Sequence, residues 1–160
     1  MNQLASFEEI TRNEANELLL IWKHKIGPIN RGNQRGLHYA LLHEGRPVAV
    51  ASANHLIAPH VGGGLDYLTR KNTIELSRLC AERPGLCRVA LRLWREFVFP
   101  LMPFQYAISY QDADLHTGNT YRFDGWKKVG FSKSGTDTRS GRNGRSKYIW
   151  LWEQQESGQV

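Results

Sequence analysis

The sequence predicts an α/β protein with a central mixed β-sheet and helices on both faces. Two apolar runs, Leu37–Leu42 and Pro47–Ala53, meet at His43-Glu44-Gly45-Arg46 and read as an antiparallel hairpin. From Thr73 onward, strand-like and helix-like periods alternate, which calls for strands returned side by side by crossover helices. The composition is that of one globular domain: 160 residues, 41% hydrophobic, 22% charged and 11% aromatic. It excludes a disordered tail, a collagenous repeat and a membrane protein. No run approaches the roughly 20 apolar residues of a bilayer crossing. The densest stretch, Arg95 to Ala107, is broken by Pro100 and Pro103.

The elements follow in order. Ser6/Glu9 and Thr11/Glu14 both fit a capping box, so a first helix starts at one of them. Its apolar stripe is Ala15, Leu18, Leu19 and Trp22, and Gly27-Pro28 ends it. INRGNQRG reads as a basic loop and precedes the hairpin; HVGGGL, after it, reads as a second loop. TIELSRLCA is a strand with Ile74, Leu76 and Leu79 as its apolar side. After Arg83-Pro84-Gly85, LCRVALRLWREFV has Val89, Leu93 and Phe97 on one helical stripe and Ala90 and Trp94 beside it. FQYAISY is a strand, HTGNTYRFDGW a short helix closed by Gly125, and KKVGFSKS and KYIWLW are two last strands. Neither a repeat nor a domain boundary interrupts this order, so residues 1–160 read as one domain with a basic loop at 132–147 and a short flexible tail at 154–160.

The opening MNQLASFEEI has neither a basic nor an apolar leader segment, so no signal peptide is expected. Cys80 and Cys87 lack the partner pair of a disulfide framework or a zinc site, and a cytoplasmic setting is expected. The formal charge is +6, and seven basic residues against one acid fall between Lys127 and Lys147, leaving 14 of each in the rest of the chain. That concentration suits either a polyanion contact or a solvated loop. Arg139, Arg142 and Arg145 lie three apart in a Gly/Ser-rich stretch, with Lys127, Lys128 and Lys147 at its ends. Arg31 and Arg35 in the earlier loop can extend the same surface, gripping phosphates without reading sequence.

The element order and the segment Glu82-Arg83-Pro84-Gly85-Leu86-Cys87 resemble the GNAT acyltransferase superfamily, whose loop [QR]-x-x-G-x-[GA] opens the helix after the fourth strand. The resemblance implies that backbone N–H groups at this helix start hold the pyrophosphate of acetyl-CoA or another acyl-CoA. Ser77, Arg78, Arg83, Gly85 and Arg88 are the implied cofactor-binding residues. Glu82 stands where Gln or Arg is expected, Cys87 where Gly or Ala is, and Pro84 removes a donor.

Ile108-Ser109-Tyr110-Gln111-Asp112, Leu115-His116-Thr117-Gly118, Tyr121-Arg122 and Gly125-Trp126, with Ile74-Glu75-Leu76-Ser77-Arg78-Leu79, resemble a phage-encoded GNAT-like branch that includes the Mom-type DNA modification proteins. That resemblance implies a transferase acting on an amine of a DNA base, an anti-restriction role in a bacterial host, and matching roles for Asp112, His116 and Tyr121. The branch's early His-Tyr pair finds His24 but Lys25 here, while His38-Tyr39 falls at the hairpin start. Such an enzyme takes its target base out of the stack.

From side-chain chemistry, Asp112 or His116 can act as general base toward an amine. Tyr121 can donate to a leaving thiolate or orient the substrate, and Tyr110 is a further candidate. His24, Asp112 and His116 could ligate a metal, although no H-x-x-x-H or C-x-x-C spacing supports it and none is expected. The structural alternatives are helix capping by Asp112 and His116, core packing by Tyr121 and Trp126, and a buried strand for Trp150 and Trp152. Three functional alternatives stay open: an acyl-CoA N-acetyltransferase for a small amine or protein, a non-catalytic DNA-binding or inhibitor protein on the same scaffold, and a structural oligomer, for which the sequence holds no positive signal beyond its aromatics. No membrane partner is expected.

Overall fold

The computed structural model describes residues 4–24, 26–29, 36–113, 118–132, 136–137, 142–143 and 146–155. In chain order the elements are β1 (Ala5–Ile10), α1 (Arg12–Ile21), β2 (Gly36–His43), β3 (Arg46–His55), β4 (Thr73–Ala81) and α2 (Gly85–Leu93). There follow β5 (Tyr106–Asp112), α3 (Asn119–Asp124), β6 (Lys127–Ser132), β7 (Thr136–Asp137), β8 (Arg142–Asn143) and β9 (Lys147–Glu153). Seven strands make one sheet in the order β1-β2-β3-β4-β5-β9-β6, and β7 and β8 form a separate ribbon. Every pairing is antiparallel except β4 with β5. This is the mixed sheet that the alternation of elements predicts.

Of the two capping boxes, Thr11 starts the helix: its hydroxyl accepts from the Glu14 amide at 3.1 Å, and Glu14 accepts from the Thr11 amide at 3.1 Å. Ser6 instead lies in β1, a strand the sequence reading lacks, which pairs with β2 and stacks Phe7 on Tyr39. α1 stops at Ile21 rather than at Gly27. The hairpin turn has Glu44 at φ 51° and Gly45 at φ 78°, the pair of positive angles a two-residue turn of matching twist requires.

The sheet buries both faces. On one, Ala15 and Leu19 of α1 pack on Val50 and Cys80, and the loop after β3 lays Leu56, Val61, Leu65 and Leu68 over Ile108, Ile149 and Leu151. On the other, Ala51, Ala53 and Ala107 offer a low floor onto which Leu91, Trp94, Val98 and Phe99 close. The buried side of this helix is therefore Ala90, Leu91 and Trp94, while Val89 and Phe97, expected on an apolar stripe with Leu93, point outward. After Leu93 the chain widens into a π-helical turn at Trp94–Val98 and ends in a 3₁₀ turn at Phe99–Leu101, where Pro100 sits.

β4 carries a bulge. Ser52 pairs with Arg78 and Ala53 with Leu76, so Ser77 is the extra residue. The strict alternation slips by one there. Ile74 and Leu76 before the bulge and Leu79 and Ala81 after it consequently pack toward the α2 face, although odd and even positions are mixed.

Candidate active site in the gap between two strands

β4 and β5 pair only from Thr73↔Tyr106 to Glu75↔Ile108, yet both strands continue, to Ala81 and Asp112. Beyond that point they part, and the backbone groups that would have closed the ladder need other partners. Ser109 supplies one: its hydroxyl donates to the Leu76 carbonyl at 3.1 Å. With that proton committed, the 2.7 Å contact between Ser109 Oγ and Tyr121 Oη has the tyrosine as donor. Burial pushes the Tyr121 phenol up to about 12; the Ser109 bond opposes the shift, and the nearby Cys87 and Glu75 add to it.

Tyr121 is held on a built platform. Its ring stacks on Trp150 at 5.8 Å and 19°, and meets Trp126 edge-on at 5.6 Å. Trp150 Nε1 donates to Gln111 Oε1 at 2.9 Å. Gly118, which enters α3 with φ 79°, is required twice over: a Cβ there would lie 2.5 Å from Gln111 Oε1 and 2.7 Å from Trp150 Cζ2. Arg95 clamps the far end of α3, donating from Nε and Nη2 to Asp124 at 2.7 and 3.0 Å, and Trp126 Nε1 donates to the same carboxylate at 2.8 Å.

On the opposite face of the sheet, buried polar side chains form a row across β2, β3 and β4: His38, Ser52, Asn54, Glu75, Ser77 and Arg78. His38 Nδ1 lies 2.9 Å from Ser52 Oγ, and burial, then the Arg12 charge, lowers its pKa toward the neutral imidazole. Ser77 donates to Asn54 Oδ1 at 2.5 Å. Gly36 makes room for the row, since a Cβ there would run into the Asn54 amide. Glu75 stands in this row on the last paired residue before the strands separate.

These positions sort the residues singled out from sequence. Tyr121 lies at the gap. Tyr110 packs instead with the loop side of the sheet, against the cluster of Ile108 and Ile149. Asp112 is buried and ion-paired to Lys147 at 3.2 Å. It does not cap α3, whose N-cap is Gly118 with no side-chain bond. Ser77 and Arg78 are turned away from the start of α2: Arg78 donates to the carbonyls of Gly27 at 2.8 Å and Pro28 at 3.3 Å, tying the loop after α1 to the sheet. Lys147, expected on a nucleic-acid surface, is buried because β9 begins with it between β5 and β6. His24 follows α1, its amide bonded to the Leu19 carbonyl at 2.9 Å. Among the described residues no three His, Cys, Asp or Glu side chains gather as a metal site. His116, Arg31, Arg35, Arg139, Arg145 and the Arg142 side chain lie outside the described residues.

Glu75 and Ser109, which enter the sequence reading only within longer segments, and Asn54 are the positions to which it gives no role. Glu75 has a signal of its own, a carboxylate between the inward-facing Ile74 and Leu76 of a strand. Ser109 has none, because its meaning comes from where β4 and β5 stop pairing.

The start of α2 departs from the loop pattern in structure as in sequence. Pro84 is the N-cap and provides neither an N–H nor a side-chain cap, and the amides of Leu86 and Cys87 turn back onto the carbonyls of Arg83 and Pro84. Glu82 pairs with Arg46 at 2.7 Å. Among the described residues, leaving aside its chain neighbours and its own helix backbone, no atom lies within 4 Å of a Cβ built on Gly85, so the face of the first helical residue is open. Arg83 is exposed, and Arg88 sits 5.0 Å over the Phe123 ring. The half-buried Cys87 thiol is pushed up to about 11, by burial first and then by Cys80. On β6 Lys127 is exposed, and Lys128 Nζ lies 4.1 Å over the Tyr148 ring.

No protein-family model matches the sequence, and no curated protein matches it. Solved structures match it over nearly its full length. The ribosomal-protein-S18-alanine N-acetyltransferase of Escherichia coli is 14% identical with a TM-score of 0.66, covering 97% of each chain. A single-substitution mutant of the spermidine N-acetyltransferase SpeG of Vibrio cholerae is 6% identical at 0.66, covering 94% of each chain. NAA60 of Arabidopsis thaliana, solved with a bisubstrate analogue, is 9% identical at 0.62, covering 93% of this chain and 97% of that one. Two further matches, from Desulfovibrio desulfuricans and Chromobacterium violaceum, are described as GNAT-family acetyltransferases. The sheet order, the parted strands β4 and β5 and these likenesses agree: the chain has the fold of the GNAT N-acetyltransferases.

Proposed function

We propose that this protein is an N-acyltransferase that moves an acyl group from acetyl-CoA or another acyl-CoA to an amine, with an amine on a nucleic-acid base as acceptor. The carrying observation is the Tyr121–Ser109 hydroxyl pair set where β4 and β5 separate. In this reading the thioester supplies an activated carbonyl carbon and a thiolate leaving group. The acceptor nitrogen bonds to that carbon, the C–S bond breaks, and the thiolate takes the Tyr121 proton, which turns to it from Ser109. Glu75, buried at the edge of the gap, takes the proton the amine loses. Both protons are afterwards exchanged with solvent. The pKa of about 12 keeps Tyr121 protonated at neutral pH, as a proton donor must be.

The fit to the donor is partial but sufficient. The open first turn at Gly85, flanked by Arg83 and Arg88, faces the pyrophosphate in this reading, with fewer backbone donors than the usual loop offers. The acceptor class rests on the resemblance of residues 108–126 to DNA-modifying transferases and on the positive charge gathered from Lys127 to Arg145 in the sequence, Lys147 being buried against Asp112. Asp112, His116, His24 and Tyr110 carry no step here. A second reading, a non-catalytic DNA-binding scaffold, is favoured by the same turned-back amides at Leu86 and Cys87.

Two measurements test the proposal: calorimetry with acetyl-CoA, and mass spectrometry of nucleosides from DNA co-expressed with the wild type or Tyr121→Phe. Binding, with a new nucleoside mass that disappears in the variant, is the expected result. Binding with unchanged nucleosides would move the acceptor to a small amine or protein. Absence of binding would leave the scaffold reading.

A further inference from the structure

The sheet ends at β6, and on its α2 face this edge alternates rings with cations. Lys128 lies opposite Trp150 and Phe131 opposite Tyr148 in the β6–β9 register, so the four side chains share one face. The bulge between Lys128 and Gly130 lets positions three apart point the same way. Lys128 Nζ stands 4.1 Å from the Tyr148 ring centroid and 5.6 Å from that of Trp150, and Arg122 Cζ, from α3, stands 5.7 Å over Trp150. Phe131 tilts against Tyr148 at 5.2 Å and is 47% exposed. Arg46, Arg92 and Arg95 pair with carboxylates. These two cations do not: among the described residues Lys128 makes no hydrogen bond or ion pair, and Arg122 donates to the neutral Asn119 side chain at 3.0 Å.

We propose that this edge binds single-stranded DNA, with Phe131 as the ring on which an unpaired base stacks and Lys128 and Arg122 as its phosphate contacts. Base faces are covered in a duplex and open in a single strand, so an exposed ring beside cations without acidic partners selects the single strand. The choice of DNA rests on the acceptor class proposed above. Charge supports a polyanion: residues 133–146 carry four basic side chains against one acid, and they join β6 to β9 beside Phe131, at the pair Ser132↔Lys147. Position supports a substrate. Trp150, beneath both cations, also stacks on Tyr121, and Tyr148 lies opposite Gln111, where β5 has already parted from β4. A strand held here lies at the end of the sheet where the gap opens.

Fluorescence anisotropy of a labelled DNA strand of about 12 nucleotides tests the platform, using the full chain without any acyl-CoA over a salt series. The wild type is expected to bind the strand roughly tenfold or more tighter than the same sequence as a duplex. Phe131→Ala and Phe131→Leu are each expected to weaken binding about 5- to 150-fold, and Phe131→Trp to retain it. Leucine would satisfy a ring that only packs. Lys128→Gln is expected to lower the slope of log affinity against log salt by about 0.7, one phosphate contact. Both side chains are exposed, so Phe131→Leu and Lys128→Gln are expected to melt with the wild type. No binding by the wild type, equal binding of the duplex, full affinity in Phe131→Leu or an unchanged slope in Lys128→Gln would each overturn the proposal. So would acetyl-CoA that displaces the strand and itself loses affinity in Phe131→Leu, which would give the ring to the donor's adenine. Strand binding without nucleoside modification would sink the acyl-transfer reading and leave this one. Modification without the Phe131 and Lys128 effects would do the reverse.

Discussion

Asp112 and Lys147 form a buried ion pair, with Nζ 3.2 Å from Oδ2, at facing positions of β5 and β9. Lys147 is the last residue of the basic stretch and the first of β9, so the pair fastens that stretch where it re-enters the sheet. A carboxylate engaged in this way stabilises the register and is poorly placed to collect a substrate proton. Removing one partner leaves an uncompensated buried charge. Asp112→Ala is expected to cost about 3–5 kcal/mol, read by urea denaturation. Asp112→Leu combined with Lys147→Met is expected to recover most of it. If Asp112→Ala instead left stability intact and abolished transfer, Asp112 would return to the reacting centre.

Tyr121→Phe keeps the ring on Trp150 and removes only the hydroxyl. The expected loss is about 10²–10⁴-fold in acyl transfer, against about 1 kcal/mol in stability. The pH dependence has a defined sign. The folded pKa is about 12, above the usual 10, so this group leaves stability unchanged below pH 10 and lowers it between about pH 10 and 12. Above pH 10 the unfolded chain ionises first. The wild type is therefore expected to lose on the order of 2–3 kcal/mol more than Tyr121→Phe across that window, measured by denaturation at stepped pH.

Gly118→Ala puts a methyl group against Gln111 and Trp150 at a backbone angle alanine adopts with strain. An expected cost of roughly 2–4 kcal/mol combines the left-handed conformation with overpacking. A shift in tryptophan fluorescence should accompany it, because the displaced neighbour is Trp150. Gly85→Ala, where a Cβ would meet none of the described residues beyond its own helix within 4 Å, is expected to change stability little. Similar melting temperatures for the two variants would contradict this.

Burial raises the pKa of both thiols, Cys87 to about 11. At pH 8 the folded protein is expected to react with a disulfide reagent roughly a hundredfold more slowly at Cys87 than the unfolded chain, from the thiolate fraction alone. Fast modification in the native state would show that the first turn of α2 opens.

The hairpin, β4, α2, β5 and α3 are legible in the sequence because each carries its own local signal. Glu44-Gly45 is a turn with two positive angles, Pro84-Gly85 breaks a strand before a helix, and Gly125 closes α3. β1 is hidden by competition: Ser6-Phe7-Glu8-Glu9 satisfies a capping box on paper, and pairing with β2 wins because it buries Phe7 against Tyr39. The apolar stripe of α2 misleads for a related reason. Val89 and Phe97 are more hydrophobic than Ala90, but the alanine floor of β3 accepts Ala90, Leu91 and Trp94 at close range. Of the candidate site, Tyr121 is legible from the resemblance of the segment that holds it and from its phenol, and Asp112 is conspicuous as the polar end of a strand.

The sequence by itself determined the order and kind of most elements, the turns between them and the concentration of positive charge between Lys127 and Lys147. These depend on windows of a few residues, in which periodicity, glycine angles and proline breaks act directly. Only the tertiary structure decided that β9 inserts between β5 and β6, that Ser77 is a bulge, and that β4 and β5 part after Glu75 and Ile108. Those choices set which face of the sheet each side chain takes. They bury Lys147 against Asp112, turn Arg78 to the carbonyls of Gly27 and Pro28, and bring Ser109 to Tyr121. Strand partners far apart in the chain are selected by the burial and hydrogen bonding of the whole sheet, which no local window contains.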